Sequence, residues 1–190
     1  MSEKIKMLSG DFYTDDAELV AERNIARQLI NLYNESTFIE IDLRTQILKK
    51  LFHRFGKNTY IEPPFTCEYG SQIEWGENSY ASFNCLILDS APVKIGDHVI
   101  LGPNINIYTD IHSLQHTPEQ EGLESLITYA KPVIIEKGVW IGRGSILTPG
   151  VKIGENSVID ACSVVTKDIP SNVVAAGNPC EVIKNINEES

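Results

Sequence analysis

The chain has 190 residues, of which 42% are hydrophobic, and it carries a formal net charge of −10 at pH 7. Its size and composition predict one compact domain, and without a long apolar run or a signal-like N-terminus we expect a cytoplasmic location and no membrane partner. The acidic charge argues against nucleic acid as a partner, because phosphate binding requires a basic surface.

The first 58 residues are predicted to form a helical segment. Apolar residues of the stretch 21–33 fall on one helical face, and the stretch 41–55 repeats this pattern, which indicates two or three helices.

From residue 59 to residue 175 an aliphatic side chain recurs every six positions. The repeat is clearest at Ile135, Ile141, Leu147, Ile153 and Ile159, and earlier stretches run through Ile61, Cys67 and Ile73, then Ile95, Leu101 and Ile107. These three registers predict two insertions. A second inward position follows four residues after each aliphatic, as at Val99, Ile105, Ile111, Val139, Ser145, Val151, Ser157 and Ser163.

A chain that turns every six residues forms a triangular coil of about 18 residues, because one repeat leaves room only for a short strand and a turn. The pattern therefore predicts a mainly β protein built as a parallel β-helix. An antiparallel sandwich would need turn signals about 8 to 12 residues apart. The pattern leaves the handedness open.

A polar stretch interrupts the repeat and is predicted to be a loop, residues 112–131, ejected from the β-helix. His112 begins it and follows Ile111, so the coil would hold its backbone while its ring projects outward. Histidine is suited to take a proton from a hydroxyl near neutral pH, although a solvated loop histidine would look the same in sequence. The final stretch, residues 176–190, is predicted to be a cap that covers the last coil.

Cysteines and histidines give no sign of a metal centre. Cys67, Cys85, Cys162 and Cys180 lack paired Cys-x-x-Cys spacing, so we expect reduced packing residues. His112 and His116 have the spacing of two metal ligands, but no third ligand follows at helical spacing, and no metal is predicted.

Several segments resemble the maltose and galactoside O-acetyltransferases, a branch of the hexapeptide-repeat acyltransferases. The resemblance covers nearly the whole chain and rests on the runs IEPPFTCEYG (61–70), IYTDIH (107–112), VWIG (139–142), PGVKIG (149–154), SVVTKDIP (163–170) and AGNP (176–179). It implies a left-handed parallel β-helix, a homotrimer with active sites between neighbouring subunits, and acetyl-CoA as co-substrate. It also implies that the helical segment, residues 1–58, lies on the acceptor side of the site.

The resemblance also implies roles for individual residues. His112 matches the catalytic base, which removes a proton from a sugar hydroxyl as that oxygen attacks the thioester carbonyl. Positions that match acceptor contacts are Asp15, Glu68, Ser82 and Asn84, and those that match acetyl-CoA contacts, together with lysines able to neutralise phosphate, are Trp140, Gly142, Arg143, Ala161, Thr166, Lys167 and Lys184. Ser82 stands where the family usually has Asn, and Glu181 where Arg is common.

Two other functions stay open at this point. The chain could acetylate an amine in place of a hydroxyl, or it could be a β-helix trimer without catalytic activity. Asp15 could also be a helix N-cap, Glu68 a solvated turn acid, and Trp140 a packing residue at a corner.

Overall fold

The computed structural model describes residues 1–112 and 128–186. Three helices precede the β-structure: α1 (Glu3–Ser9), α2 (Ala17–Glu35) and α3 (Ile41–Leu51). Asp16 caps α2, because its Oδ1 accepts the backbone N–H of Leu19 at 2.9 Å. The cap is therefore Asp16, and its neighbour Asp15 is left for other contacts.

The described β-structure consists of short strands in three parallel stacks and one antiparallel ribbon. The first sheet contains β1 (Arg54–Phe55), β4 (Ile73–Trp75), β7 (Val93–Ile95), β12 (Val133–Ile135) and β15 (Lys152–Ile153). The second contains β2 (Tyr60–Ile61), β5 (Tyr80–Ala81), β8 (Ile100–Leu101), β13 (Trp140–Ile141), β16 (Val158–Ile159), β18 (Val173–Ala176) and β19 (Glu181–Asn185). The third contains β3 (Phe65–Cys67), β6 (Cys85–Leu88), β9 (Asn106–Tyr108), β14 (Ile146–Leu147) and β17 (Val164–Val165).

The chain visits the three sheets in turn, and strands of the same sheet that lie one coil apart pair in parallel. The predicted mainly β fold, a parallel β-helix with an N-terminal helical part, is confirmed. The first strand, β1, pairs with β4, so the solenoid begins at residue 54. This residue lies inside the segment that the sequence predicts to be helical. At the other end β19 pairs antiparallel with β18 and covers the last coil.

The helical segment is fixed to the first coil by polar contacts at the end of α2. The Asn34 side chain donates to the Phe65 carbonyl and accepts the Phe65 N–H, both at 2.9 Å. The hydroxyl of Tyr33 donates to the Ile61 carbonyl. These bonds satisfy strand edge groups that would otherwise be buried without a partner, which holds α2 in one position on the solenoid.

The coils differ in length at one corner. Ile61 pairs with Ala81 and Ala81 with Leu101, so the first coils repeat after 20 residues, while Ile141 pairs with Ile159 after 18. The surplus lies between the third and first sheets, at residues 68–72 in the first coil and 88–92 in the second. We call this stack of turns the long corner. In the third coil the same corner carries the antiparallel ribbon of β10 (Asp110–His112) and β11 (Thr128–Ala130).

The long corner corrects the repeat read from the sequence. Cys67 and Ile87 stack with Ile107, but the residue that stacks with Ile95 is Trp75, and Ile73 is buried beside it. The chain therefore has three insertions at this corner, where two were predicted. Ile111 was predicted to point inward, and this prediction is wrong. Ile111 lies half-buried in β10, and the buried residue of this turn is Thr109.

Glycines that follow the inward aliphatics serve close packing. A Cβ on Gly142 would lie 2.6 Å from the backbone nitrogen of Ala161 in the next coil. The residue with a left-handed backbone comes two positions after this glycine. At the corner between the second and third sheets, those residues are Asn84, Asn104, Gly144 and Cys162. Asparagine tolerates this backbone better than most residues, so Asn84 has a structural reason to be where it is.

Buried polar side chains hold the long corner together. Asp89, which has no exposed surface, accepts the backbone N–H groups of Glu68 (3.1 Å), Tyr69 (2.8 Å) and Gln72 (3.3 Å). One coil later the hydroxyl of Thr109 donates to the Leu88 carbonyl at 2.7 Å and accepts the Ala91 N–H at 2.9 Å. The turns of the first two coils are thus each anchored by a side chain from the following coil.

Asp89 should make stability depend on pH. Burial raises the pKa of Asp89 to about 6, although the N–H groups of Tyr69 and Gln72 act in the opposite direction. Between about pH 4, the pKa in an unfolded chain, and about pH 6 the folded protein holds the extra proton, so the free energy of unfolding should fall as the pH rises through this window. The fall is at most about 3 kcal/mol.

Asp89→Asn should remove this fall while keeping an oxygen that accepts the backbone N–H groups. Urea unfolding of both proteins at several pH values between 4 and 7 measures the difference. Asp97→Asn is the matched control, because Asp97 also accepts a corner N–H, that of Glu77 at 2.7 Å, from a more exposed position. The same pH dependence in wild type and Asp89→Asn would contradict the prediction.

Candidate active site

A cleft of about 710 Å³ opens where the long corner meets the N-terminal segment. Its walls come from the start of α2, from the long corner of the first two coils and from the ribbon of the third. The lining residues are Tyr13, Thr14, Asp15, Arg23, Glu68, Tyr69, Leu88, Ser90, Asp110, His112 and Thr128. Three residues singled out from the sequence, His112, Asp15 and Glu68, are therefore brought together although they are far apart in the chain.

His112 is held by the antiparallel ribbon and faces the cleft. Its Nδ1 lies 3.1 Å from the Thr128 hydroxyl, and its Nε2 lies 3.1 Å from the Asp110 carboxylate. The His112 side chain is 55% exposed, so its ring is accessible from the cleft. Of the predicted ejected loop, Thr128–Ala130 form strand β11, and residues 113–127, with His116, lie outside the described residues.

Arg23 organises the acidic side of the cleft. Its guanidinium makes two 2.8 Å bonds to the two oxygens of Asp15, forms an ion pair with Glu68 and donates to the Tyr69 hydroxyl at 2.9 Å. The same guanidinium lies 5.3 Å from the centre of the Tyr69 ring. One side chain of α2 thus fixes two carboxylates and an aromatic ring in a single geometry.

The contacts with Arg23 fix the orientation of the Asp15 and Glu68 carboxylates. The hydrogen bonds from Arg23 lower the pKa of Asp15. Half of the Asp15 side chain stays exposed to the cleft, as does about a quarter of the Glu68 side chain. A charged carboxylate accepts several hydrogen bonds, so free lone pairs remain for hydroxyl groups of a bound molecule.

The segment between α1 and α2 covers one side of the cleft. Tyr13 pairs through its backbone with Thr128 on β11, and the rings of Phe12 and Tyr129 pack edge to face with centres 5.5 Å apart. Burial raises the pKa of Tyr13, whose hydroxyl bonds to Ser90. The segment between α1 and α2 is therefore tied to the ribbon that carries His112.

Ser82 and Asn84 lie elsewhere. Both are in the turn between the second and third sheets, and Asn84 adopts the left-handed backbone that this corner requires. We call this stack of turns, residues 82–84, 102–104, 142–144 and 160–162, the short corner. In one chain these two predicted acceptor residues are thus on a different edge of the solenoid from His112.

The residues predicted to bind acetyl-CoA are divided between the same two edges. Gly142, Arg143 and Ala161 belong to the short corner, directly along the edge from Ser82 and Asn84. Thr166 and Lys167 follow β17 at the long-corner edge, two coils beyond the ribbon, which is about 10 Å along the axis. Trp140 lies on the outer face of the second sheet and is 54% exposed.

The two predicted phosphate-neutralising lysines lie near the end of the solenoid. Lys184 is exposed on β19. The ammonium of Lys167 contacts both oxygens of Glu181, at 2.7 and 2.6 Å. A phosphate at this position would have to compete with Glu181 for Lys167.

Within residues 1–112 and 128–186, no group of three or more His, Cys, Asp or Glu side chains is placed to hold a metal ion. In the same residues no helix is both long and apolar enough to cross a membrane. Cys67, Cys85, Cys162 and Cys180 are all free thiols.

Comparison with known proteins gives the family. Residues 6–56 match the maltose acetyltransferase hexapeptide capping motif, and residues 132–167 match the bacterial transferase hexapeptide repeats. The chain is 41% identical to the galactoside O-acetyltransferase of Escherichia coli, over 99% of this chain and 90% of that protein. This chain belongs to the maltose and galactoside O-acetyltransferase family.

Solved structures of the family share the whole fold. The maltose O-acetyltransferase of Clostridium difficile 630 is similar with a TM-score of 0.91 and 48% identity, covering 99% of both chains. A hexapeptide-repeat acetyltransferase of Vibrio cholerae, solved in complex with acetyl-coenzyme A, has a TM-score of 0.88 and 36% identity, covering 99% of this chain and 100% of that one. Membership of this family makes the chain an acyltransferase.

Sequence reasoning gave no role to several cleft residues. The sequence alone assigned no role to Arg23, Tyr69, Asp110 or Thr128. Asp110 could have been found, because residues two apart on a strand point to the same side and His112 is two positions later. Arg23 contacts Tyr69, which is 46 positions later in the chain, and no local pattern indicates such a contact.

The Lys167–Glu181 pair gives a test of the nucleotide end. Glu181→Gln should free Lys167 and lower the KM for acetyl-CoA by about twofold to fivefold, since an exposed ion pair is worth roughly 0.2 to 1 kcal/mol. The gain should shrink at high salt because both charges are exposed. Steady-state kinetics at low and high ionic strength measures it.

Glu136→Gln is the control for this experiment. It breaks a similar surface pair, Glu136 with Lys152 at 2.7 Å, on the first sheet. A change of the same size in both variants would show a general charge effect and contradict a role for Lys167 in binding.

Proposed function

We propose that this chain transfers an acetyl group from acetyl-CoA to a hydroxyl of a sugar, of the maltose, glucose or galactoside type. The observation that carries the proposal is the meeting of His112 with the Arg23-bound carboxylates Asp15 and Glu68 in one cleft. A candidate base and a set of hydroxyl-binding groups then face the same volume. Its relatives include a galactoside O-acetyltransferase and a maltose O-acetyltransferase, and these names support a sugar as the acceptor.

In the proposed reaction His112 acts as the general base. Its ring takes the proton from the acceptor hydroxyl as that oxygen attacks the thioester carbonyl carbon, and the proton then passes to the sulfur of the departing CoA. A base positioned in this way contributes about 10² to 10⁴ in rate. Attack is direct, through a complex of both substrates.

The cysteines favour direct attack over an acyl-enzyme. Cys67 and Cys85 are buried, and burial raises the pKa of Cys85 to about 12, so neither presents a thiolate. Cys180 is buried as well, and the exposed Cys162 has no histidine of its own chain as a hydrogen-bond partner among the described residues. We propose that the enzyme works in the cytoplasm, where such free thiols stay reduced.

The acceptor would bind beside Arg23 and its two carboxylate partners, Asp15 and Glu68. A sugar presents hydroxyl donors along one edge, and Asp15 and Glu68 offer acceptors whose directions are fixed by the guanidinium. Arg23 offsets part of their charge, and these carboxylates would repel a phosphorylated or acidic sugar. This favours a neutral acceptor.

We further propose that the working enzyme is a homotrimer in which acetyl-CoA lies between two chains. The support is the division of the predicted residues: His112, Thr166 and Lys167 lie along the long-corner edge, while Ser82, Gly142, Arg143 and Ala161 lie along the short corner. If the long-corner edge of one subunit faces the short corner of the next, all of them line one groove. A protein of relative mass close to three times 21.2 kDa should then be seen by light scattering.

A monomer at micromolar concentration would contradict the shared groove. Mixing experiments add a second test: inactive His112→Ala chains and chains blocked at an exposed short-corner residue by Ala161→Trp, unfolded and refolded together, should regain part of the activity. In mixed trimers some grooves would have both mutations and others neither. No recovery, with mixed trimers verified by mass, would place the whole site in one chain.

The transferase proposal is tested by CoA release from acetyl-CoA with maltose, glucose, a galactoside, glucosamine or no acceptor. His112→Ala should lower kcat by at least about 10²-fold while acetyl-CoA still binds, because the base is lost and the groove is not. His53→Ala, at an exposed histidine at the start of the solenoid, is the matched control and should keep full activity.

Product analysis separates the remaining functions. Acetylation of the glucosamine nitrogen in preference to any hydroxyl would favour an amine acceptor. Activity of His112→Ala within a few-fold of wild type would remove the role assigned to His112. Absence of acetyl-CoA binding would favour a β-helix trimer without catalytic activity.

A further inference from the structure

Both ring nitrogens of His112 have partners that the ribbon holds in place. Asp110 precedes His112 by two residues on β10, so the two side chains leave the strand on the same side. Thr128 is the direct cross-strand partner of His112 on β11. The 3.1 Å contacts of Nε2 with Asp110 and of Nδ1 with Thr128 therefore follow from the backbone pairing.

The two partners cannot have the same role. An ionised carboxylate only accepts hydrogen bonds, whereas a hydroxyl can donate or accept. A neutral imidazole has one N–H and one lone pair, and the partner of one nitrogen settles the state of the other. Asp110 must therefore accept the N–H of Nε2, and the lone pair lies on Nδ1, where the Thr128 hydroxyl donates to it.

We propose that Asp110 is the positioning residue that fixes His112 in this tautomer, so that Nδ1 is the atom that takes the acceptor proton. This rests on the proposed function. The acceptor hydroxyl takes the place of the Thr128 hydroxyl at Nδ1, its oxygen bonds to the thioester carbonyl carbon, and the C–S bond breaks. The sulfur then takes the proton from Nδ1, while Asp110 keeps its negative charge throughout and stabilises the imidazolium.

The surroundings of Asp110 suit this role. Its side chain is only 17% exposed, much less than that of His112. Its second oxygen, Oδ1, is buried and has no hydrogen-bond partner among the residues that the structure describes. A buried acceptor in that condition costs stability, so packing alone gives no reason for an acid here.

Other charged and titratable groups around the cleft do not contact the ring in the described structure. They are Tyr13 and Asp15 from the N-terminal segment, Arg23 from α2, and Glu68 and Tyr69 from the long corner. Asp15 and Glu68 are bound to Arg23. Asp110 is thus the carboxylate that acts on His112, and the other two belong to the acceptor side.

Nitrogen-15 spectra of the histidine rings test the tautomer without any need for activity. The chain has four histidines, so His112 is assigned by comparison with His112→Ala. In wild type with a neutral ring, the shifts should show hydrogen on Nε2 and a lone pair on Nδ1. Asp110→Asn should give a mixture of the two tautomers, because its amide can donate or accept. Hydrogen mainly on Nδ1 in wild type would overturn the proposal.

Kinetics tests the consequence for catalysis. Asp110→Asn should lower kcat about 10- to 100-fold, by analogy with groups that orient metal-binding histidines, with the KM values for both substrates within about twofold. Asp110→Glu should restore part of kcat, and Asp97→Asn, at a corner away from the cleft, should change nothing. An Asp110→Asn enzyme with wild-type kcat, or one impaired only in KM, would overturn the role.

The outcomes separate this proposal from the function on which it rests. If no acceptor is acetylated by wild type, the proposed function fails, and the ring spectra still decide whether Asp110 sets the tautomer. If wild type is active and the spectra are unchanged in Asp110→Asn, only the positioning role fails.

Discussion

The vertical register of the inward side chains is the constraint on which the rest of this molecule depends. Residues such as Ala81, Leu101 and Ile141 must lie directly above one another, because a strand shifted by one residue would turn its apolar side chains outward. Additional chain can therefore leave the solenoid only at a corner. In this protein the two-residue surplus of the first coils and the ribbon of the third all leave at the same corner.

The surplus residues at the long corner form part of the cleft wall. A longer turn exposes backbone N–H groups that the parallel ladders no longer satisfy, and the buried Asp89 and Thr109 supply the missing partners. The anchored turn then carries Glu68 and Tyr69 outward to meet Arg23 from α2. In the proposed function the acceptor-side groups come from the helical segment and the early coils, while the base comes from the ribbon, so changes in α2 would alter acceptor binding without moving His112.

The sequence predicted the architecture because a six-residue repeat has few structural solutions. It failed where one position offered two solutions: both Ile73 and Trp75 are buried, so the spacing from Cys67 could be read as six or as eight, and only strand pairing shows that eight is right. Similarly, Asp15 and Asp16 are both reasonable N-caps, and the choice depends on where α2 begins. Cross-chain contacts such as those of Arg23 have no periodic signature.

The residues assigned to the site by family resemblance raise a geometric problem that one chain does not solve. A triangular solenoid is rigid, and its long-corner and short-corner edges are held apart by the sheets between them, so no local movement brings Gly142 towards His112. The second sheet, which ends at the short corner, also carries an exposed apolar row of Tyr80, Ile100 and Trp140, with exposed fractions of 36%, 46% and 54%. Apolar surface of this kind usually marks an interface. The same contact that covers this row would bring a neighbouring edge to the short corner, so burial of apolar surface and completion of the site favour the same assembly.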